Sequence, residues 1–308
     1  MSAIPAGDVE RFRPLLPVGY EAGAAAYRAA AAELTARDLA EHYTDGLAFF
    51  HERFVPHLKG VLERLSGGAW GLADFVAYAA GSDVDFMTHL VEAVAARGRV
   101  CLFPGDWFGF RVGATQTANL AWDASGRGDL ACLCVPSVRD GHLTAEMLDF
   151  LEAAPHCLLN LNLYPTLAAE ERRAVAESLR PLLDRAVLSI SFSRGFGLTA
   201  SQLGVFLVHR DHPLRARYET QWAWFTYFFN ALTARAFMLL DLPTLEAVDA
   251  RRRAWVGEWL ASRDLPAVAT GSYYVKSFRP IGEVPAVLEP LRRGELIRLC
   301  FKPPLDLG

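Results

Sequence analysis

Two arginines carry the clearest chemical signal in this sequence. Arg194 lies in a turn of small residues with the sequence Ser-Phe-Ser-Arg-Gly-Phe-Gly, and Arg298 lies in the apolar run Leu-Ile-Arg-Leu-Cys. A guanidinium stays protonated at any working pH, so Arg194 cannot act as an amine nucleophile. It can instead bind an anionic substrate or stabilise an oxyanion, and the planar fork of Arg298 suits a carboxylate. The alternatives are a salt-bridged structural arginine at position 194 and a solvated strand arginine at position 298.

Four further side chains are candidates for contact with a substrate. Tyr164 is a candidate acid, base or hydrogen-bond donor, and a buried packing tyrosine is the alternative. Trp107 can stack on a planar substrate, with core packing as the alternative. Asn160 and Asn162 alternate with leucines along one run, so one of them is expected to face the site and orient a polar substrate.

A cluster of acidic residues and histidines in the N-terminal region raises the question of a metal site. Its members are Glu41, His42, Asp45, His51, Glu52 and His57. His42 and Asp45 can share a helix face, but the chain has no H-E-x-x-H and no paired E-x-x-H pattern. Solvated polar residues on a helix give the same composition. We therefore predict no metal ion.

Composition indicates a globular protein with a sizeable core. The chain has 308 residues, of which 52% are hydrophobic and 11% aromatic, and a formal net charge of −4. This charge gives no argument for nucleic acid or an anionic membrane as partner. The five cysteines are scattered in mostly apolar runs without a C-x-x-C pair, which predicts reduced, buried thiols. The N-terminus has no apolar signal core and no run approaches the ~18 apolar residues of a membrane span, so we expect a soluble cytoplasmic protein.

Hydrophobic periodicity predicts helices first and then alternating strands and helices. Helices are expected over 22–65, with an interruption at Pro56, and over 84–97, 143–153, 167–183, 222–240 and 244–262. Strands are expected over 100–103, 130–135, 157–161, 186–191, 205–208, 272–278 and 296–301. Alternation of this kind predicts a mostly parallel sheet covered by helices on both faces. We divide the chain into an N-terminal helical segment (1–80), a large α/β domain (81–240) and a small C-terminal α/β domain (241–308).

The segment from Ser191 to Val205 closely resembles the cofactor-lysine segment of fold-type I aminotransferases. In that family the motif S-x-S-K supplies a lysine that forms a Schiff base with pyridoxal phosphate (PLP), and an arginine eight residues later binds the cofactor phosphate. The corresponding residues here are Arg194 and Gln202. The chain has only three lysines, and none follows a strand that ends in a small-residue turn; they are Lys59, Lys276 and Lys302.

The resemblance extends from about residue 81 to residue 301. Gly81-Ser82-Asp83 resembles the family's phosphate-binding cup, and the run 103–108 (Phe-Pro-Gly-Asp-Trp-Phe) resembles the segment whose aromatic residue stacks on the cofactor. Residues 140–143 (Asp-Gly-His-Leu) resemble its DG-x-L turn, and 296–301 its terminal strand with the substrate-carboxylate arginine. The resemblance implies a homodimer and an α/β aminotransferase-like fold, with a carboxylate clamp at Arg298. It also places Ser82, Ser191 and Gln202 at the site.

The function expected for this chain depends on the positions where its sequence differs from the family pattern. Family members place an aspartate under the pyridine nitrogen of PLP, whereas the corresponding run here offers only Asn160 or Asn162. This alignment has an alternative, since 162–166 is also similar to the family's N-P-T-G turn. Loss of lysine, phosphate arginine and aspartate predicts an enzyme that works without PLP on an amino-acid-like or other carboxylate substrate. The expected reaction is a condensation, cyclisation, elimination or lyase step in specialised metabolism, rather than transamination.

Two other functions remain open from the sequence. One is an enzyme that holds PLP or pyridoxamine phosphate noncovalently. The other is a non-catalytic subunit that binds a ligand or an active homologue, for which the aromatic run 222–229 would provide an interface.

Overall fold

A computed structural model of the chain describes residues 9–112, 114–115, 117–199, 202–268 and 270–304. The N-terminal part is helical: α1 (Val9–Phe12), α2 (Glu21–Glu33), α3 (Ala36–Ala40), α4 (Leu47–Phe49) and α5 (Val55–Ser66). Two π-helical turns, His42–Gly46 and Phe50–Phe54, join α3, α4 and α5. The later helices are α6 (Asp83–Ala95), α7 (Gly109–Val112), α8 (Ala145–Glu152), α9 (Ala169–Leu179), α10 (Pro213–Thr226), α11 (Ala231–Met238) and α12 (Leu242–Ala261). None of the described helices has the length and apolar content needed to cross a bilayer.

A seven-stranded sheet organises the molecule. Its strands are β1 (Phe75–Ala80), β2 (Val100–Leu102), β3 (Leu120–Trp122), β4 (Leu130–Cys134), β5 (Cys157–Asn160), β6 (Ala186–Ser191) and β7 (Gly204–His209). The order across the sheet is β1-β7-β6-β5-β4-β2-β3. The five strands from β6 to β3 are parallel, whereas β7 is antiparallel to both β6 and β1. The predicted mostly parallel sheet is therefore confirmed.

Side chains on the two faces of this sheet enter two separate apolar clusters. Leu159 and Leu188 pack on the face covered by α2, α5, α8, α9 and α11, and their neighbours Leu158 and Val187 pack on the face covered by α6 and α10. Because both faces of the sheet are covered, the central parallel strands are mostly apolar rather than alternating. All five cysteines are buried and free, as predicted.

A second, smaller sheet follows α12. It contains β8 (Val275–Phe278), β9 (Arg292–Arg293) and β10 (Leu296–Cys300) in the antiparallel order β8-β10-β9. Short 3-10 turns occur at Leu72–Asp74, Thr117–Asn119, Tyr164–Thr166, Arg180–Arg185 and Ala286–Leu291.

The sequence-based prediction of local structure missed strands β1 and β3 and was wrong about two helices. Strand β1 was missed, because its alanine-rich sequence gives no clear two-residue alternation. Residues 75–80 were assigned to the N-terminal helical segment, but they pair with β7 in the large sheet. The single helix predicted over 222–240 is two helices, because the side chain of Asn230 accepts a hydrogen bond from the Thr233 amide and starts α11. Pro56 does not interrupt its helix; it lies in the first turn of α5, directly after a π-helical turn. The division into three domains stays a prediction.

Candidate functional site

Arg194 lies just beyond the carboxyl end of β6, where β4 and β5 also end. This edge is where ligands bind in open α/β sheets. The backbone amide of Arg194 donates to Oδ1 of Asn162 (3.3 Å), and the Asn162 amide donates to Oδ1 of Asn160 (3.0 Å). The Arg194 guanidinium donates through Nη2 to the carbonyl of Leu15 (2.8 Å). The N-terminal segment thus orients the guanidinium through Leu15.

A cavity of about 680 Å³ opens beside Arg194. Among the described residues, its charged lining consists of four arginines and two acids: Arg13, Arg194, Arg293, Arg298, Glu10 and Asp106. Its aromatic lining consists of Trp107, Phe108 and Trp122. A second space of about 20 Å³ shares Leu15, Trp107, Val138 and Arg194 with the large cavity, and adds Cys134, Asn160, Asn162 and Leu163. The structure therefore brings together five of the predicted site residues: Arg194, Arg298, Trp107, Asn160 and Asn162.

Asp106 organises the wall that carries Trp107. Its Oδ1 accepts hydrogen bonds from the Ser137 hydroxyl (2.7 Å) and the Val138 amide (2.9 Å), and its Oδ2 accepts one from the Cys134 amide (2.7 Å). Burial raises the pKa of Asp106 to about 6, against the lowering effect of these donors. Since the described donors occupy both oxygens, this carboxylate holds the loop in place and is not free to act as a base.

Arg298 extends from β10 into the same cavity. Its Nη1 donates to the carbonyl of Val138 at 3.3 Å, next to the loop that Asp106 organises. The guanidinium groups of Arg298, Arg293 and Arg194 all act electrostatically on the buried Cys300 thiol, although burial is stronger and raises the pKa of that thiol. The three cations therefore lie around one small region.

A buried carboxylate occupies the amino end of α6. Asp83 is the first residue of this helix, after Ser82, whose hydroxyl accepts a hydrogen bond from the Asp85 amide (3.1 Å). Burial raises the pKa of Asp83 to about 6, while Arg194 and the backbone amides of Asp83 and Val84 lower it. A Cβ at Gly204, the first residue of β7, would overlap the Asp83 backbone nitrogen. The helix end that could bind an external anion thus already has its own carboxylate, close to Arg194.

Four predicted site residues do not line either cavity. The Tyr164 hydroxyl donates to the carbonyl of Arg172 (2.9 Å), its ring stacks on Trp70 at 4.8 Å between centroids, and burial raises its pKa well above the usual range. It is therefore a packing residue. The other three are Ser82, which caps α6, Ser191, whose hydroxyl is bonded to that of Ser193 (3.0 Å), and Gln202, which is exposed. Ala200 and Ser201 of the same motif lie outside the described residues.

Sequence reasoning missed Arg13 and Arg293. No motif contains them, and they come from opposite ends of the chain, so only the folded structure places both in the wall of one cavity with Arg298. The adjacent arginines at 292 and 293 were the one available signal. Arg292 is paired with Glu289 (3.3 Å) instead, and does not line the cavity.

The three lysines and the N-terminal histidines lie elsewhere. Lys59 donates to the carbonyl of Phe75, Lys276 is buried on β8, and no lysine lines either cavity in the described part of the chain. Ring stacking on Phe229 (4.7 Å) and a hydrogen bond with the Tyr227 carbonyl (2.9 Å) hold His42. Across the described residues, no three histidine, cysteine or acidic side chains converge as metal ligands.

Comparison with known proteins defines the class of fold. No family model and no curated protein matches the chain. An aspartate aminotransferase tetra mutant from Thermus thermophilus matches it with a TM-score of 0.63 at 13% identity, over 100% of this chain and 97% of that one. Histidinol-phosphate aminotransferase from Sinorhizobium meliloti, solved in complex with pyridoxal-5'-phosphate, matches with a TM-score of 0.59 at 16% identity. The match covers 99% of this chain and 91% of that one. Histidinol-phosphate aminotransferase from Clostridium acetobutylicum matches with a TM-score of 0.63 at 10% identity, over 94% of this chain and 93% of that one.

The chain therefore has the fold of the fold-type I PLP-dependent aminotransferases, as its sequence predicted. Identities this low establish the fold and leave the chemistry to be argued from the site itself.

Proposed function

We propose that this protein is a PLP-independent enzyme that acts on an amino-acid-like or other carboxylate substrate. The observation that carries the proposal is the position of Arg194: a permanent cation faces the same cavity as Arg298, at the edge of the sheet where the resemblance expects a Schiff-base lysine. A cavity of about 680 Å³ is in the range that holds small organic ligands.

The residues at this edge do not fit PLP. Arg194 cannot form the Schiff base, and Asn160 and Asn162 offer neutral amides where a pyridinium needs a carboxylate. The two asparagines line only the space of about 20 Å³, enough for about one water molecule, whereas the larger cavity has Arg194 but neither asparagine in its described lining. The Asp83 carboxylate occupies the amino end of α6, where it would repel a phosphate. We therefore derive no step through this cofactor.

The lining residues support a specific division of roles. The Arg298 fork binds the substrate carboxylate, and the Trp107 ring packs against the body of the substrate. Arg194 then stabilises negative charge that develops on the substrate, and its bond to the Leu15 carbonyl holds it in position before the reaction begins. A condensation, cyclisation, elimination or lyase step can use such a fixed cation.

The first test is a titration with PLP followed by absorption spectroscopy and borohydride reduction. We expect no visible aldimine band. A band trapped by reduction would contradict the proposal and point to one of the three lysines, and a band removed by washing would instead support noncovalent PLP.

The second test is calorimetric binding of small carboxylates to the wild type and to Arg298→Ala. We expect the substitution to weaken binding about 10- to 100-fold, because a charge-assisted hydrogen bond contributes about 1.5–3 kcal/mol. The matched control is Arg279→Ala, since Arg279 is exposed and paired with Glu295 (2.8 Å), away from the cavity. Equal affinities for the three proteins would exclude Arg298 as the clamp.

A ligand-binding protein without catalysis is the second candidate. It is favoured by the occupied carboxylate of Asp106 and by the distant hydroxyl of Tyr164, which leave Glu10, paired with Arg13 (3.5 Å), as the remaining acid of the described lining. Carboxylates that bind should be incubated with the protein and followed by NMR. Conversion would support the enzyme, and tight binding without conversion of any ligand would support the second candidate.

We also propose a cytoplasmic homodimer. Four aromatic side chains form an exposed cluster with ring centroids 5.7–6.4 Å apart: Tyr43, Trp224, Tyr227 and Phe228. An exposed apolar cluster of this kind favours an interface. Light scattering coupled to size-exclusion chromatography is expected to give twice the chain mass of 33.9 kDa. A monomeric mass, or dependence on a second protein, would contradict it.

A further inference from the structure

The large cavity has more positive charge than its own acids neutralise. Its described lining carries four guanidinium groups and only two carboxylates, an excess of two positive charges. Glu10 forms an exposed pair with Arg13 (3.5 Å), and Asp106 is bonded to backbone amides and a hydroxyl rather than to an arginine. Like charges that face one cavity without counter-ions repel one another, so the arrangement favours an anionic ligand.

The other three arginines of the lining form no ion pair with a described residue. Arg194 donates to the carbonyl of Leu15, Arg298 to that of Val138, and Arg293 to those of Pro290 (3.3 Å) and Arg292 (2.6 Å). Within the described residues none of these three guanidinium groups lies within 4.0 Å of a carboxylate. Carbonyl bonds orient a guanidinium while leaving its charge uncompensated.

The four cations come from separate parts of the fold. Arg194 follows β6 and Arg298 lies on β10, whereas Arg293 lies on β9 and Arg13 in the segment after α1. Arg13 and Arg298 both lower the pKa of Arg293, in addition to its burial, so these three cations lie within electrostatic range of one another. Arg13 and Arg293 thus form a second cationic pair beside the proposed clamp.

The aromatic lining selects the body of the ligand. Trp107 is half-buried, and Trp122 and Phe108 are 37% and 68% exposed although they line the same cavity. Partly exposed aromatic rings that line a cavity are suited to packing against a planar apolar group, and nearby guanidinium groups also stack well on such groups.

We propose that the cavity binds a planar organic dicarboxylate, with one carboxylate on Arg298 and Arg194, the other on Arg293 and Arg13, and the flat body against Trp107 and Trp122. Two carboxylates match the excess of two positive charges, whereas a carboxylate together with a phosphate would exceed it. This inference rests on the proposed function for the role of Arg298; the role of Arg293 and Arg13 is additional.

The test compares terephthalate with its monomethyl ester by calorimetry at pH 7.5. The two probes share one aromatic ring and differ by one negative charge. We expect the wild type to bind terephthalate at least about tenfold more tightly than the ester, which corresponds to about 1.4 kcal/mol. Arg293→Ala and Arg13→Ala should each reduce this ratio towards one, whereas Arg292→Ala should retain it, because Arg292 is the adjacent strand residue outside the cavity. Arg298→Ala should weaken the binding of both probes.

The possible outcomes separate this inference from the proposed function. Equal binding of the two probes by the wild type, with both weakened by Arg298→Ala, would overturn the second cationic pair and leave the clamp in place. A ratio that both Arg293→Ala and Arg13→Ala preserve would also overturn it. Binding of neither probe by the wild type would overturn both proposals. Unfolding curves of each variant establish that it is folded. If Arg293→Ala does not fold, Arg13→Ala carries the test, because the Arg13 side chain is exposed.

Discussion

Replacing Asp83 with asparagine tests whether the buried negative charge at the amino end of α6 destabilises the folded protein. Asp83 is buried, and its carboxylate lies close enough to Arg194 for that cation to lower its pKa. Burial nevertheless dominates and raises the pKa of Asp83 from 3.8 to about 6. Asparagine has nearly the same shape as the protonated carboxyl group and cannot become charged. It therefore removes the charge while preserving the packing.

The magnitude follows from the two pKa values. A carboxyl whose pKa is raised in the folded state binds its proton more tightly there than in the unfolded chain, so the free energy of unfolding falls as pH rises. The fall takes place between about pH 4 and pH 6 and amounts to about 3 kcal/mol when complete, at about 1.4 kcal/mol for each pKa unit. At pH 7 we expect Asp83→Asn to be more stable than the wild type by about this amount, and at pH 4 to be nearly equal to it.

Urea unfolding of both proteins at pH 4 and pH 7 measures this difference directly. Asp85→Asn is the matched control, because Asp85 lies two residues further along the same helix and is exposed. The control should follow the pH dependence of the wild type. The reasoning would be refuted if Asp83→Asn showed the wild-type pH dependence, or if it lost stability at pH 7. The first result would mean that Asp83 does not titrate in this range, and the second that its attraction to Arg194 outweighs its burial.

Three further substitutions test other parts of the structure. Tyr164→Phe should cost about 1 kcal/mol in urea unfolding, because the hydrogen bond to the Arg172 carbonyl is lost, and should leave carboxylate affinity unchanged in calorimetry; a large loss of affinity would restore Tyr164 to the site. Gly197→Ala should destabilise the fold by about 3 kcal/mol or more, since Gly197 has a φ of +66° and a Cβ there would overlap the Tyr20 ring; a change below about 0.5 kcal/mol would disprove this contact. Tyr20→Phe should cost about 2 kcal/mol in the same assay, because its hydroxyl donates to the buried carboxylate of Asp249, and wild-type stability would argue against that bond.

Much of the fold was predictable because it depends on local apolar patterning. The limits of β6 were predicted without error, and α12 and β10 were predicted within two residues. Strand β1 was not predictable in this way, because its pairing with β7 depends on a partner more than a hundred residues away. The break between α10 and α11 also depended on one side chain, Asn230, which caps a helix in competition with a favourable aromatic pattern.

The candidate site was also only partly predictable from the sequence. Arg194, Arg298, Trp107 and the two asparagines were found from their sequence context, and the structure brings them to two cavities that share Arg194 and Trp107. Tyr164 had an equally suggestive context, yet it lies in a 3-10 turn after β5, and its side chain packs in the core against Trp70.

The sequence by itself determined that this chain has an aminotransferase-like α/β fold and that no lysine follows the strand before the small-residue turn. Those properties depend on residue type and on order along the chain. The tertiary structure alone decided that Arg13 and Arg293 line one cavity with Arg298, and that Asp83 occupies the amino end of α6 near Arg194. Electrostatic interactions act through space, so the charge of a cavity is known only when distant segments have been brought together.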